Sequence, residues 1–594
     1  MALWFAALSA ALTWPMARQP YAAALGSVHA DGMKHLWTLW WMKASVWDHG
    51  QFPFQTDLVN YPVGMDLYPI EPLNGIVAVA LPWMGVVGLS NLLVFINMTL
   101  TGLAGAWFGR EVADSRLAGF VAGTLIEGSA VMAFFVHVGV GELWHLWWLP
   151  LGLGCLLRAR RTMAWPWFFA LSACLVGALL SCFYIGFFLA VSVALWALMT
   201  LWNGWRTPPL LLRYAVAASL SLAIVLPVIK SFSTSYRSGD IPEVGLQSYL
   251  FDDHGQPITD PPSARVELAQ LVTPGREPQR REDKAYGGGR YLGWLVIGLG
   301  LVGVIREPRK GLPWLAIAGI GVVMATGSYL TADGEAVLSG GSSRIRMPIF
   351  WLNRLLGYVA EPLNFPVRFL AVTVTALAAL GALAVKRWPW LALLAPLAVV
   401  EITWGQMLDW PWARFAPRDA RALIPMQELE DRAIIDLALA VRSDQENRFS
   451  ALGTQIRHGK QLNAIPLERI EFFARDGVHF VKATQIVQDL TPLYNNTGGQ
   501  LDGDYRADFA VLRDAGFSWI LVAYRNGSEH LPSQLVVEMD RTFGEAVIRD
   551  TGLGVWEIPA VEHTEPELEG WKAQHAATVQ QIERLDPGMG RPLR

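Results

Sequence analysis

Residues 29–37 read HADGMKHLW, a polar stretch that follows the first apolar segment and places an acid, a lysine and two histidines beside a tryptophan. A loop that only joined two apolar segments would not need so many titratable groups. The function that can be inferred for this chain depends on which side of a membrane this stretch faces. Asp31 is therefore the residue on which the interpretation of the chain depends.

The composition of the chain divides it into two regions. The 594 residues are 53% hydrophobic and only 16% charged, whereas a soluble protein is about one-quarter charged. Apolar runs long enough to cross about 30 Å of hydrocarbon lie before residue 410. We therefore predict a mainly α-helical membrane domain over residues 1–410. A small soluble α/β domain is predicted over residues 411–594, in which 433–437 and 519–523 have the composition of strands.

Charge and cysteine content argue against two kinds of function. The net charge is −4, with no basic footprint, so no nucleic-acid partner is expected. Cys155, Cys174 and Cys182 all lie in apolar runs. Their placement indicates neither a disulfide framework nor a thiolate metal site.

The basic residues of the short connections orient the membrane domain, because such loops stay on the cytoplasmic side. They are Arg110, Arg116, Arg158, Arg160, Arg161, Arg206, Arg306, Arg309, Lys310, Lys386 and Arg387. With these residues inside, the segments 135–143, 231–290 and 331–366 face outside, as does the chain after residue 407. We predict about eleven spans and a cytoplasmic N-terminus, the first being a short retained span over residues 2–16.

Segment 72–88 decides the side on which the first loop lies. If this segment crossed the membrane, Asp31 would be cytoplasmic. Pro72, Pro82, Gly85 and Gly88 interrupt the segment, which favours a re-entrant or surface helix, so we predict that Asp31 faces outside. Residues 36–48 and 345–360 are predicted to form amphipathic helices on the interface.

Asp31 and the outer turn at residues 137–145 (HVGVGELWH) carry the acids and histidines of a candidate catalytic site. A carboxylate at the outer face can act as a general base, hold a sugar hydroxyl or bind a divalent cation. An equally open interpretation is that Asp31 caps the helix that follows it. His137, Glu142 and His145 stand at a membrane interface, where ionisable groups indicate function. Asp31 and Glu142 would then be ligands of Mg²⁺ or Mn²⁺, unless the turn residues only bridge to water.

Basic residues at the outer mouth form a second candidate set. Arg368 and Arg290 each enter an apolar run on the side where positive charge is not favoured by topology. Because a guanidinium binds phosphate in a bidentate manner, these two residues, with Lys34 and Arg237, are predicted to bind an anionic lipid phosphate. The alternative for Arg368 is a salt bridge to Glu361 or contact with lipid head groups in general.

The placement of these residues resembles the GT-C superfamily of polytopic glycosyltransferases, which use polyprenyl-phosphate-linked sugars. In that fold an acid lies in the first external loop, surface helices follow it, and a second external loop two spans later carries an acid or a histidine. Asp31, the segments 36–48 and 72–88, and Glu142 with His137 take those positions. The best-studied members often show paired acids in the first loop, whereas Gly32 follows Asp31 here.

Short motifs are similar to a YfhO-like bacterial branch of the same superfamily. They are 60–64 (NYPVG), 148–151 (WLPL), 286–288 (YGG), 366–369 (PVRF), 435–437 (IDL) and 455–460 (QIRHGK).

The resemblance implies transfer of a sugar from a polyprenyl-phosphate donor to a glycan, lipid or protein acceptor. The reaction would take place at the outer face of a bacterial inner membrane, with residues 411–594 in the periplasm. Asp31 would act as base, and Arg368 and Arg290 would hold the lipid phosphate. Glu142 and His137 would shape the site or bind the metal, and His145 would contact the substrate.

Two other functions remain open for a chain of this pattern. One is a non-catalytic lipid or polysaccharide transport or assembly factor with the same fold, and the other is an anchor for the soluble domain. Transporters usually carry ionisable groups at the bilayer midplane. In this chain such groups collect at the predicted outer rim, which ranks transport second.

Overall fold

The structure, a computed structural model, contains two compact units. It describes residues 1–26, 31–53, 55–66, 71–201, 208–238, 264–275, 288–340, 343–356, 365–406, 410–412, 414–415, 421–429, 432–441, 445–463, 476–523, 531–550 and 552–585. The first compact unit, here called the helical unit, comprises Met1–Leu39, Ile70–Phe232 and Gly245–Phe415. The second unit, here called the α/β unit, comprises Trp40–Pro69, Ser233–Val244 and Ala416–Arg594. The sequence predicts a division at residue 410 and does not assign 40–69 to the second unit, because nothing in that segment's composition links it to the C-terminal region.

The helical unit is built from helices and a few two-residue strands. Its helices are α1 (Ala2–Leu12), α2 (Gly32–Trp47, whose last residues from Trp40 belong to the α/β unit), α3 (Pro72–Ala80), α4 (Val86–Ala113), α5 (Arg116–Glu127), α6 (Ala130–His137), α7 (Trp148–Thr162), α8 (Trp165–Ser181), α9 (Phe183–Leu201), α10 (Pro208–Ser238, whose last residues from Ser233 belong to the α/β unit), α11 (Trp294–Arg306), α12 (Pro308–Ala325), α13 (Pro348–Leu356), α14 (Leu370–Arg387) and α15 (Leu394–Gly405). A 3₁₀ turn at Gly141–Trp147 precedes α7. The paired strands are β1 (Ala24–Leu25) with β8 (Arg414–Phe415), β4 (Thr331–Ala332) with β5 (Glu335–Ala336), and β6 (Leu338–Ser339) with β7 (Ser343–Arg344).

The helical unit contains helices of the length and composition that cross membranes. Among the described residues, four stretches qualify, at Val86–Ala113, Arg116–His137, Pro209–Pro227 and Pro366–Arg387. Shorter apolar helices lie at Ala2–Leu12, Trp165–Ser181, Phe183–Met199, Trp294–Arg306 and Pro389–Gly405. The count of about eleven spans and the orientation of the unit stay predictions.

Small residues allow α4 and α5 to pack closely. A Cβ on Gly105 would lie 2.9 Å from the Cα of Gly123, and one on Gly109 would lie 2.4 Å from the Cβ of Ala122. Such close backbone approach is a common means of helix association in membranes. The buried Glu127 ends α5 and accepts a hydrogen bond of 2.7 Å from the Ser9 hydroxyl, which ties α1 to the pair.

Segment 72–88 contains no single helix that could span a membrane. Its helix α3 has nine residues, about 13 Å at 1.5 Å per residue, which is under half the thickness of the hydrocarbon core. Turn residues from Leu81 separate it from α4, which begins at Val86. This geometry is the one expected for a re-entrant or surface element.

The two predicted amphipathic helices differ in their surroundings. The first corresponds to α2, in which Trp37 and Trp41 are completely buried in protein, so those rings do not lie on a lipid interface. The second corresponds to α13, which buries Phe350 and exposes 51% of Trp351 and 81% of Leu355. Helix α13 therefore presents the exposed apolar side chains that the sequence predicts for both, whereas α2 buries its central rings and exposes Trp47 at its end.

The α/β unit contains a mixed four-stranded sheet with the order β11-β12-β10-β9. Its strands are β9 (Ala433–Asp436), β10 (Phe517–Ala523), β11 (Ile548–Asp550) and β12 (Leu553–Glu557), with the small pair β2 (Gln55–Thr56) and β3 (Met65–Asp66) outside the sheet. Its helices are α16 (Leu437–Val441), α17 (Gln445–His458), α18 (Asp476–Lys482), α19 (Gln485–Tyr494), α20 (Arg506–Asp514), α21 (Ser533–Phe543) and α22 (Glu565–Leu585). Strand β10 is buried along its whole length, parallel to β9 and antiparallel to β12.

Two sequence motifs that lie about 400 residues apart meet in the α/β unit. The Gln455 amide donates to the Leu58 carbonyl at 2.7 Å, and the backbone N–H of Tyr61 donates to the Leu462 carbonyl at 2.9 Å. The Tyr61 ring packs edge-on against Phe517 with ring centroids 5.1 Å apart. The QIRHGK motif thus holds the segment before the NYPVG motif in place, which is a structural role.

His458 of this motif makes the stability of the α/β unit depend on pH. Burial, together with the smaller effect of the Lys460 charge, lowers the pKa of His458 to about 3. Because the unfolded state binds the proton more readily, the stabilisation is complete above pH 6.5 and is lost as the pH falls toward 3. We expect the free energy of unfolding of the α/β unit to fall by about 1.4 kcal/mol per pH unit below pH 6.5. The measurement is urea unfolding of the full chain, with proteolytic cleavage within the α/β unit as the readout.

The variant His458→Asn isolates this effect. Its amide oxygen can accept the Lys460 N–H that His458 Nδ1 accepts at 2.9 Å, and it does not titrate. The variant should lose less stability than the wild type between pH 7 and pH 5, whereas His563→Asn, at an exposed histidine, should behave as the wild type. Equal pH dependence in wild type and His458→Asn would contradict the assignment.

Candidate functional site

Asp31 lies directly before α2 with its carboxylate buried. Its Oδ2 is 3.3 Å from Lys34 Nζ, and its carbonyl accepts the His35 N–H at 3.2 Å. In the part of the chain that the structure describes, Oδ1 has no hydrogen-bond partner and no backbone N–H donates to the carboxylate. The side chain therefore does not act as a helix cap, and one oxygen stays available.

Burial and neighbouring side chains together set the protonation of Asp31. Burial raises the pKa of this carboxyl, but Lys34, His35 and Arg368 together hold the pKa below its usual range. Asp31 is consequently ionised at neutral pH. An ionised carboxylate with an available oxygen can accept a proton or orient a hydroxyl.

Gly32 occupies a position where the backbone leaves no room for a side chain. A Cβ there would lie 2.5 Å from Cε1 of Phe415, and a Cβ on Gly139 would lie 3.0 Å from the Cα of Gly32. Phe415 is carried here by the antiparallel pairing of β8 with β1. The first loop and the 137–145 turn are therefore in close contact, and a second acid directly after Asp31 is sterically excluded.

Gly32→Ala should destabilise the helical unit. The new methyl must displace the Phe415 ring, and overpacking of this kind costs about 1–3 kcal/mol. Thermal unfolding of the purified full chain in detergent should show a lowered midpoint. Gly298→Ala is the control, because a Cβ at that helical position meets no atom within 4 Å; an unchanged midpoint for Gly32→Ala would argue against the tight contact.

A second acid, Glu71, enters the site from the start of α3. Glu71 is fully buried. His35 Nδ1–H donates to Glu71 Oε1 at 2.9 Å, and the Asn74 amide donates to Oε2 at 2.7 Å. A Cβ on Gly141 would lie 2.1 Å from Oε2, so the turn before α7 packs directly on this carboxylate.

The sequence predictions do not include Glu71. The only signal for it is an acid immediately before a proline at the beginning of the broken segment 72–88. Its pairing with His35 joins residues that are 36 positions apart, and no local periodicity reports such a contact.

His145 lies near Glu71 in the 3₁₀ turn. Burial lowers the pKa of His145 to about 4, although Glu71 acts in the opposite direction. Neither ring nitrogen has a hydrogen-bond partner among the described residues. His145 is thus a neutral imidazole near Glu71.

Arg368 is buried, and aromatic rings hold its side chain. The centre of its guanidinium is 4.3 Å from the Tyr184 ring centroid and 4.6 Å from that of Phe365. It interacts electrostatically with Asp31, yet no ion pair joins the two side chains in the described part of the chain. The alternative partner Glu361 lies outside the described residues.

Two further arginines lie next to the segment that carries Arg368. Arg265 and Arg290 are each only 3% exposed. Arg290 Nε donates to the Arg265 carbonyl at 3.1 Å, and the backbone N–H of Val367 donates to the Ala264 carbonyl at 2.8 Å. The structure therefore brings the predicted residues Arg290 and Arg368 to one segment and adds Arg265, which the sequence predictions do not include.

Glu142 and Arg368 both act on the thiol of Cys182, at the break between α8 and α9. Burial raises the pKa of Cys182, Glu142 raises it further and Arg368 lowers it. Glu142 is half-buried in the turn that also carries His145. His137 is the last residue of α6, two residues before the tightly packed Gly139.

The remaining predictions for the site concern Arg237, the YGG motif and a metal ion. The side chain of Arg237 and residues 286–287 lie outside what the structure describes. Among the described residues, no group of three or more His, Cys, Asp or Glu side chains has the arrangement of metal ligands. Because the cationic side chains of Lys34 and Arg368 act on Asp31, this donor set does not fit Mg²⁺ or Mn²⁺, and that site stays a prediction.

No protein-family model matches the chain, and no curated protein matches it. Three solved structures of an Archaeoglobus fulgidus oligosaccharyltransferase are similar to 88% of this chain. For the apo form, the similarity covers 69% of the oligosaccharyltransferase chain, with a TM-score of 0.47 and 11% identity. For the complex of AglB with an inhibitory peptide and a dolichol-phosphate it covers 68% of that protein, with a TM-score of 0.46 and 10% identity. For the form tethered to an acceptor peptide it covers 69%, with a TM-score of 0.42 and 11% identity. At these values the site is supported by its own geometry alone.

Proposed function

We propose that the chain is a membrane glycosyltransferase that moves a sugar from a polyprenyl-phosphate-linked donor to an acceptor. The observation that carries the proposal is the geometry of Asp31 and Arg368. The Asp31 carboxylate has one oxygen beside Lys34 and one without a hydrogen-bond partner among the described residues, and the buried Arg368 guanidinium lies between the rings of Tyr184 and Phe365. Sugar transfer from a lipid phosphate needs a group that acts on the acceptor and a cation that stabilises the leaving phosphate.

The leaving group is the part of the reaction that the arginines serve. In the transfer step the bond between the sugar and the phosphate oxygen breaks, and the phosphate keeps the electron pair. Arg368 is held between Tyr184 and Phe365, so its charge is oriented before the reaction begins, which is the condition for effective electrostatic stabilisation. Arg265 and Arg290 add two buried positive charges beside the same segment.

The acceptor is the part of the reaction that Asp31 serves. The acceptor oxygen forms the new bond to the sugar carbon and gives up its proton, which Asp31 Oδ1 takes. Lys34 holds the other carboxylate oxygen at 3.3 Å and keeps the group ionised. The proposed step needs no metal ion.

The remaining residues position the reacting groups. Glu71 orients His35 through the hydrogen bond of 2.9 Å. His35 in turn helps to lower the pKa of Asp31. Glu142, His137 and His145 line the turn on the other side and are proposed to contact the sugar or the acceptor. The α/β unit, proposed to be periplasmic, would recognise a glycan, lipid or protein acceptor at the outer face of a bacterial inner membrane.

The test is a transfer assay with the purified full chain in lipid nanodiscs. Polyprenyl-phosphate donors carrying a hexose or a pentose are supplied with candidate acceptors, and release of polyprenyl phosphate is measured. Release that depends on both donor and protein supports the proposal. In sealed vesicles, movement of the donor across the bilayer with the sugar still attached would instead support the transport alternative and overturn this one.

A further inference from the structure

A group of arginines and aromatic rings lies at the far end of α7 from the candidate site. Helix α7 leads away from the 141–147 turn and has 15 residues, which is about 22 Å. At its end, the Arg158 guanidinium stands 5.6 Å from the Trp167 ring centroid and that of Arg160 stands 4.9 Å from the Trp196 ring centroid. This group is therefore separate from the residues assigned to sugar transfer.

Helix α10 contributes a further arginine to the group. The Arg213 guanidinium is 5.1 Å from the Trp165 ring centroid and 5.9 Å from that of Phe168. The neighbouring Tyr214 ring packs against Phe168 with centroids 5.4 Å apart, and Tyr214 interacts electrostatically with Arg160. Helices α7, α8 and α10 thus meet around one basic cluster.

The charge of this cluster is not balanced within the described residues. Glu111 pairs with Arg158 and Arg161, whereas Arg160 and Arg213 have aromatic partners and no carboxylate partner there. Three buried donor atoms also lack a hydrogen-bond acceptor in the described chain, namely Arg158 Nε, Arg213 Nη1 and the Tyr214 hydroxyl. Buried donors are normally satisfied, so a bound anion with several oxygen acceptors would complete the cluster.

The apolar surface beside the cluster indicates the source of that anion. Phe169 on α8 is 49% exposed, and Leu220 and Ile224 on α10 are 38% and 48% exposed. On α10 these two side chains follow Arg213 along the same face of the helix, inside the candidate span Pro209–Pro227. A ligand with a phosphate at one end and acyl chains at the other matches both surfaces, because basic pockets between membrane helices bind phospholipid head groups.

We propose that Arg160, Arg213 and Tyr214 form a binding site for the phosphate group of an anionic membrane phospholipid. The phosphate oxygens accept from the two guanidinium groups and from the tyrosine hydroxyl. The acyl chains lie along the exposed apolar side chains of α8 and α10. This lipid is distinct from the polyprenyl-phosphate donor, and the site does not depend on the proposed transferase activity.

The experiment measures lipid binding to the purified full chain by native mass spectrometry, with phosphatidylglycerol, phosphatidylcholine and inorganic phosphate as separate probes. The wild type should bind phosphatidylglycerol more tightly than phosphatidylcholine. Each arginine near an anionic head group contributes about five-fold in affinity, so the double variant Arg160→Gln with Arg213→Gln should bind phosphatidylglycerol about 25-fold more weakly. Arg306→Gln is the matched control, because that exposed arginine also lies on a tryptophan, 4.2 Å from the Trp388 ring centroid, and should leave binding unchanged.

Three outcomes would overturn the proposal. The double variant could bind phosphatidylglycerol as the wild type does, or phosphatidylcholine could bind equally well. Inorganic phosphate could bind alone with the same loss in the variant, which would make free phosphate the ligand. If the double variant does not fold, a second experiment on the wild type tests the site. Photoreactive phosphatidylglycerol should label α7, α8 or α10 near the cluster. Labelling confined to other helices would reject the site.

Discussion

Asp31→Asn is expected to lower the rate of sugar transfer about 1000-fold, within the range for removal of a general acid–base group. The amide has nearly the same shape as the carboxylate but cannot take the acceptor proton. In the proposed reaction the unpaired Oδ1 of Asp31 takes the proton of the acceptor and does not hold the donor. Binding of the donor should therefore change by only a few-fold. Initial rates and donor affinity of the purified variant in nanodiscs separate the two quantities.

The control for this variant is Asp48→Asn, which changes an exposed acid just after α2 and should leave the rate unchanged. Transfer by Asp31→Asn at the wild-type rate, in a preparation with the wild-type unfolding midpoint, would remove Asp31 from the reaction. The site would then be left with Glu71 as its other buried acid.

The pH dependence of the reaction follows from the same assignment. Lys34 helps to hold the pKa of Asp31 below its usual range, so Lys34→Met raises that pKa. Because the ionised carboxylate is the active form, the acidic limb of the kcat/KM profile should move to higher pH in this variant. If the acidic limb does not move, the group that titrates in the profile is not Asp31.

Arg368→Ala is expected to lower kcat/KM for transfer by 100-fold or more, since the loss of one preorganised charge-stabilising group costs about 10²–10³ in rate. Arg368→Lys should recover little of this loss. A lysine keeps the charge but loses the planar, bidentate guanidinium that stands between Tyr184 and Phe365. Release of polyprenyl phosphate and binding of the lipid phosphate alone are the two measurements.

Arg306→Ala is the control for Arg368, because it removes an exposed arginine that lies on a tryptophan of the helical unit. Full rescue by Arg368→Lys would reduce the role of Arg368 to its charge. Unchanged binding of polyprenyl phosphate by Arg368→Ala would place the phosphate elsewhere, with Arg265 and Arg290 as the next candidates.

Some features of the protein follow from local sequence alone. The apolar run at 91–109 becomes part of α4, the polar stretch at 29–37 contains the start of α2, and 519–523 lies in β10. The prolines and glycines of segment 72–88 limit α3 to nine residues. These features depend on the period, length and breakers of a few neighbouring residues, which is why a single sequence is sufficient to predict them.

Packing decided what stands next to Asp31. Glu71 reaches the site through His35, Arg265 joins Arg290 through a backbone carbonyl, and the Phe415 ring excludes any side chain at position 32. Each contact joins residues that are distant in the chain, and its energy depends on distance and burial, which sequence patterns do not contain. The sequence by itself identified Asp31 and Arg368 as candidate site residues, and only the tertiary structure shows that the charge of Arg368 acts on the Asp31 carboxyl, because that influence depends on their separation in space.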